Sequence, residues 1–163
     1  MKRALLIFGL LLICIPISYY YTLESNQKKL PIVNPSELVD DVVDPELRNK
    51  SMGHTIQEFR FLNQNNRYVD SRELEGKIWI VEYFFATCPS ICPIMNAELQ
   101  RVQDAFKNDD QIKILSFTVN PENDSASVLK KYAQDHNAID NKWHFFTGDK
   151  KELYQLARQS FSF

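Results

Sequence analysis

The strand-like run Ile78-Trp-Ile-Val-Glu-Tyr-Phe-Phe85 leads almost directly into Cys88-Pro-Ser-Ile-Cys92-Pro93, and no other stretch of the chain constrains its fold as strongly. A nearly continuous series of apolar, aromatic and β-branched residues reads as a central strand covered on both faces, with Glu82 as the odd member. Ile94, Met95, Leu99, Val102 and Phe106 then recur at helical spacing. That spacing predicts a helix with Pro93 at its first position and Cys92 at its cap. Two thiols are therefore placed at a strand-to-helix junction. A helix N-terminus carries partial positive charge and unpaired N–H groups, which favour thiolate over thiol. In one helical turn or a tight loop, this spacing brings the two α-carbons to about 6 Å, compatible with a disulfide or with two sulfurs on one metal ion. Redox chemistry, metal binding, or both remain open at this level.

The remaining pattern extends the same architecture. Ile56 to Val69 carries Phe59 and Phe61 in alternation, a turn at Asn63-Gln-Asn-Asn66, then Tyr68-Val69, which together predict a β-hairpin ahead of the main sheet. Ile112 to Val119 is a second strand. Asp124 or Ser125 caps a helix whose buried stripe is Val128, Leu129, Tyr132 and Ala133. A short Trp143-His-Phe-Phe146 strand or turn follows, and a last helix uses Leu153, Leu156 and Ala157. The order β-α-β-α predicts a parallel α/β arrangement, in which sites form beyond the carboxyl ends of strands. Cys88 lies at such an end.

At the N-terminus, Met1-Lys2-Arg3 precedes an apolar run from Ala4 to Ile17 and then Ser18-Tyr-Tyr-Tyr21. With no small-x-small cleavage site and with tyrosines where an interfacial aromatic belt would sit, residues 1–22 read as an uncleaved signal-anchor helix. The run from Ala4 to Tyr21 is about 18 residues, near the short limit for a span, so a cleaved signal peptide is the alternative. Cys14 follows a bulky Ile13 and reads as a bystander. Residues 23–52, with Pro31, Pro35 and Pro45 and no clear periodicity, read as a tether. Residues 53–163 are then one domain, because the length left is enough for one core and too short for two. With 19 Lys and Arg against 21 Asp and Glu, nothing attracts nucleic acid.

Outside the anchor, Cys88 and Cys92 are the only cysteines, and in an oxidising compartment such a pair readily becomes a disulfide. It would be a poor fold staple, since the loop it closes is short. Thiolates are soft ligands that suit Cu(I), whereas structural zinc wants four ligands that this chain does not visibly supply. Three residues separate the cysteines where dedicated disulfide exchangers have two, which shifts weight toward metal handling. His54, His136 and His144 are each an imidazole that no sequence position selects as a ligand. Glu82 is either a buried acid with a raised pKa near the thiols or a carboxylate at the sheet edge or paired with a lysine, and the second reading is preferred. Met95, one turn after Cys92, reads as core packing before it reads as a thioether ligand.

Phe84-Phe-Ala-Thr-Cys88-Pro-Ser-Ile-Cys92-Pro93 resembles the signature of the Sco family, copper proteins that help assemble cytochrome c oxidase. Gly53 to Phe61, Gly76 to Val81, Val119 to Asp124, Leu129 to Ala133 and Trp143 to Asp149 resemble further blocks of that family in the right order. The resemblance implies a thioredoxin-like fold with an N-terminal β-hairpin extension and an N-terminal transmembrane helix. It also implies that Cys88 and Cys92 bind copper, as Cu(I) or Cu(II), and deliver it to the binuclear centre of cytochrome c oxidase subunit II. Thiol exchange at the same pair, reset by a thiol-disulfide reductant, is a second implied activity. The family's third ligand is a histidine on a hairpin past the last helix seen here, so no residue of this chain is assigned to it, and the C-terminal strands and helix of the fold are expected to be missing. Asn120 stands where the family usually has aspartate, which puts an acid role there in doubt. The expectation is a membrane-anchored metallochaperone facing the periplasm or an equivalent compartment. The alternatives are a membrane-anchored thiol-disulfide oxidoreductase, which would be an enzyme, and a truncated, inactive remnant.

Overall fold

The computed structural model describes residues 12–18 and 55–161. Residues 12–18 form a helical stretch, α1, with Leu12, Ile13, Ile15 and Ile17 exposed. No helix among the described residues is long and apolar enough to cross a membrane. The rest of the expected anchor, the tether and His54 lie outside the described residues.

Residues 55–161 build a five-stranded mixed sheet whose strands lie side by side in the order Tyr68–Asp70 (β2), Arg60–Asn63 (β1), Trp143–Thr147 (β5), Ile112–Thr118 (β4) and Ile78–Phe84 (β3). The predicted hairpin is β1 (Arg60–Asn63) and β2 (Tyr68–Asp70), paired antiparallel. Its turn closes where Asn66 adopts φ 56°, a left-handed conformation that asparagine tolerates better than most residues. The hairpin joins the main sheet through antiparallel pairing of β1 with β5 (Trp143–Thr147). Strands β3 (Ile78–Phe84), β4 (Ile112–Thr118) and β5 run parallel to one another. Helix α2 (Ile91–Ala105) connects β3 to β4, and α3 (Ala126–Asp135) connects β4 to β5. Ser125 caps α3 by accepting from the Val128 N–H, and Asp149 caps α4 (Lys150–Leu156) by accepting from the Glu152 N–H.

Side-chain alternation divides the sheet into two apolar layers. Ile80, Phe84, Ile114, Trp143 and Phe145 pack with Leu129 and Ala133 of α3 and with Cys92 of α2. On the opposite face, Val81, Tyr83, Leu115, Phe117 and Phe146 pack with Phe59, Phe61, Leu153 and Leu156. Aromatic rings dominate both layers: Trp143 stacks on Phe145 at 5.1 Å on one face and Phe117 on Phe146 at 5.0 Å on the other, contacts that add about 0.5–1.5 kcal/mol each beyond burial. At the end of β5, Gly148 lies against the Phe61 ring, where a Cβ would come within 2.8 Å of Cδ1.

Two expectations are corrected. The strand expected to be central, β3, is the outer strand of the described sheet, bonded to β4 alone, and Ile78 is 59% exposed. Aromatic and β-branched density reports layers stacked above and below a strand and carries no information about its lateral neighbours. Helix α2 begins at Ile91 with Ser90 as N-cap, so Cys92 is the second helical residue and Pro93 the third. Proline fits there because N–H groups throughout the first turn have no intrahelical acceptor.

Candidate thiol and metal site

Beyond Phe84 the chain leaves β3, turns through residues 85–90 and enters α2. Ser90 makes no side-chain capping hydrogen bond, which leaves the first-turn N–H groups of α2 available to other acceptors. The Cys88 sulfur takes that place. Its thiolate is favoured first by a hydrogen bond from the Cys92 side chain and then by the backbone N–H groups of Ser90 and Cys92, which hold its pKa at about 7. Cys88 is partly exposed and Cys92 is buried, and both thiols are free. Burial raises the Cys92 pKa, and the hydrogen bond to Cys88 raises it further, while the Phe85 N–H directed at its sulfur pulls the other way. The pair is unequal: Cys88 is the outer, ionising sulfur and Cys92 the inner proton holder.

Beneath the pair lies a layer of buried polar side chains. Glu82 is 5% exposed and receives a hydrogen bond from the Ser116 hydroxyl on the neighbouring strand. Ser116 in turn accepts the Trp143 indole N–H at 2.7 Å. Desolvation lifts the Glu82 pKa to about 7, opposed by the Ser116 hydrogen bond; the residue sits on the outer strand of the described sheet, yet it is buried and its partner is Ser116, with no lysine paired to it among the described residues. Glu82 is thus a buried carboxyl on the outer strand, desolvated beside the thiols. Asn96 is fully buried and donates from Nδ2 to the Cys92 carbonyl at 2.8 Å and to the Tyr132 hydroxyl at 2.6 Å. This ties the first turns of α2 to α3. Asn96, Tyr132 and Ser116 were not singled out in the sequence as site residues, although Asn96 follows Cys92 by one helical turn and so lies on the same face.

No third His, Cys, Asp or Glu joins the two cysteines as a candidate metal ligand among the described residues. His144 is buried, its ring stacked on Phe146 at 5.8 Å. Desolvation lowers its pKa to about 4. His136 caps the end of α3 and packs on Tyr132 at 4.4 Å. Met95 is half-buried one turn past Cys92. A groove lined by Leu62, Asn65, Ser127, Lys130 and Gly148 touches neither cysteine.

Two sulfurs this close, one of them readily ionised and reachable, form a soft donor pair able to grip a thiophilic ion or to interconvert with a disulfide.

Residues 48–163 match the family model described as SCO1/SenC. The SCO1 protein homolog of Bacillus subtilis (strain 168) is 33% identical over 112 residues, covering 68% of this chain and 58% of that protein. The chain thus spans about half to three-fifths of the curated relatives it matches. A solved structure of BsSco, described as a member of the Sco family of cytochrome c oxidase assembly proteins with a disulfide switch, superposes with a TM-score of 0.62 at 32% identity, over 69% of this chain and 66% of that one. The copper-bound structure of Bradyrhizobium japonicum ScoI superposes with a TM-score of 0.58 at 24% identity, over 66% of this chain and 67% of that one. At that identity the likeness shows the shared thioredoxin-like fold alone.

Proposed function

The chain belongs to the SCO1/SenC family, and from that membership we propose that it binds copper through Cys88 and Cys92 and passes it to the binuclear copper centre of cytochrome c oxidase subunit II. The observation that carries the reading is the hydrogen-bonded, unequal thiol pair: Cys88 partly exposed and ionised near neutral pH, Cys92 buried behind it. The donor set fits Cu(I), a soft ion that accepts two thiolates. Zinc, which would ask for four ligands in a structural site, is a poor match for two sulfurs with no third titratable ligand among the described residues.

In this reading copper is cargo. Loading needs both thiols deprotonated, so each uptake releases the proton that Cys92 holds. A partner's thiolate then meets Cys88 first, and the ion moves by successive exchange of sulfur ligands, never free in solution. Oxidation of the pair to a disulfide blocks loading until a thiol-disulfide reductant restores it. We place the domain outside the cytoplasmic membrane, held by an anchor within residues 1–22 and facing the periplasm.

Reduced protein titrated with Cu(I) against a competing chelator is the test. One equivalent should bind tightly, and Cys88→Ser and Cys92→Ser should each abolish that binding. Retention of wild-type affinity in either variant would sink the proposal. A second reading, thiol-disulfide exchange without metal, is favoured specifically by the partly exposed, low-pKa Cys88 backed by a buried Cys92. Rapid metal-free turnover of a disulfide substrate, with no Cu(I) bound, would select it.

A further inference from the structure

Two successive peptide planes carry the chain from β3 to the thiols, and each is held from both sides. In the first, the Phe84 carbonyl accepts the Val119 N–H at 2.8 Å while the Phe85 N–H points at the Cys92 sulfur. In the second, the Phe85 carbonyl accepts the Cys88 N–H at 3.1 Å while the Ala86 N–H donates to Asp124 Oδ2 at 3.1 Å. In each plane the carbonyl is held by main chain and the N–H by a side chain, Cys92 in the first and Asp124 in the second.

Asp124 reaches this position from the loop between β4 and α3, 38 residues away in sequence. It is fully buried, and the same Oδ2 also accepts the Thr118 hydroxyl. Thr118 Oγ1 accepts the Asn120 N–H at 2.9 Å, and the Asp124 N–H donates to the Asn120 carbonyl at 3.0 Å, so the loop itself is fixed. The other carboxylate oxygen, Oδ1, is buried with no hydrogen-bond partner. A buried carboxylate with one oxygen unpaired costs stability, and an apolar residue would avoid that cost. What the carboxylate supplies is the anchor for the Phe85–Ala86 peptide, whose other end holds Cys88.

We infer that Asp124 is a positioning residue for the thiol pair, fixing through the Phe85–Ala86 peptide where Cys88 presents its sulfur to Cys92. It touches neither sulfur and acts through one peptide plane. Remove the carboxylate and that plane is free to rotate, Cys88 loses the acceptor for its N–H, and the sulfur samples positions from which Cys92 is out of reach. The inference rests on the reading that the two thiols act as a pair. It does not depend on whether copper is the cargo.

The test is metal-free equilibration of the full chain with glutathione and glutathione disulfide. The protein dithiol gives up two electrons and two protons to form the Cys88–Cys92 bond as one glutathione disulfide becomes two glutathione thiols. The equilibrium constant measures how well the sulfurs are juxtaposed. Asp124→Ala should lower it roughly tenfold, and the isosteric Asp124→Asn, which keeps one acceptor oxygen, by roughly threefold, as expected when a reacting group loses its fixed orientation. Leu153→Ala, a core truncation on the opposite face, lowers stability and should leave the constant unchanged. An unchanged constant in Asp124→Asn, or an equal fall in Leu153→Ala, would overturn the inference, and Asp124→Asn decides the matter alone should the alanine variant fail to fold. A wild-type protein that closes its disulfide normally yet binds no Cu(I) would refute the copper proposal and leave this one standing.

Discussion

Glu82 and Ser116 face each other in register on neighbouring parallel strands, and the serine hydroxyl donates to a carboxylate that water scarcely reaches. Burial raises the Glu82 pKa from 4.5 to about 7. Between those values the folded chain keeps a proton that the unfolded chain has lost, so stability is fully present below pH 4.5 and falls as pH rises to about 7. The size is about 3 kcal/mol.

His144 titrates in an overlapping window with the opposite sign, since its pKa is lowered from 6.5 to about 4 and its contribution is lost as pH falls between those values. The two slopes oppose each other, so the wild-type curve alone is uninformative. Urea midpoints of wild type and Glu82→Gln, compared at pH 5 and pH 8, isolate the acid: the glutamine variant should gain on the wild type by about 2–3 kcal/mol as pH rises across that interval. A constant difference would mean that Glu82 is ionised throughout.

Cys88 should be alkylated ahead of Cys92 when the reduced protein meets a limiting amount of iodoacetamide near neutral pH. The largest cause of its depressed pKa is the Cys92 hydrogen bond, so Cys92→Ala should move the alkylation midpoint of Cys88 upward. Mass spectrometry of the peptide spanning both residues reads the order of modification. Earlier labelling of Cys92 would contradict the burial seen here.

Asn96→Leu removes the side chain that joins the Cys92 carbonyl to the Tyr132 hydroxyl. The cost is expected at about 1–3 kcal/mol, because a partly buried hydroxyl loses its partner. Chemical denaturation measures it, and an unchanged midpoint would show that α2 and α3 are not coupled through this residue.

Gly148→Ala places a methyl group 2.8 Å from the Phe61 ring. Phe61 is itself packed between Phe59 and Phe117, so it has little room to yield. A loss of about 1–3 kcal/mol in thermal or urea unfolding is expected.

The thiol pair, the hairpin and the succession of strands and helices were legible because each leaves a local trace: alternating Phe59 and Phe61, the asparagine turn, the apolar run before Cys88, the helical spacing after it. What escaped was long-range. Asp124 could be seen as a candidate helix cap, but nothing near it in sequence announces Ala86 as its partner. Glu82 was visible as an anomaly in an apolar strand, while its environment depends on Ser116 and Trp143, which only the parallel pairing of three strands brings together. The lateral position of β3 left no trace, since a strand's composition responds to the layers above and below it.

The unequal depth of the two sulfurs also sets an order of arrival. Any reagent arriving from solvent meets Cys88 before Cys92. Access to the pair is ordered by depth, with Cys88 standing at the entrance and Cys92 behind it.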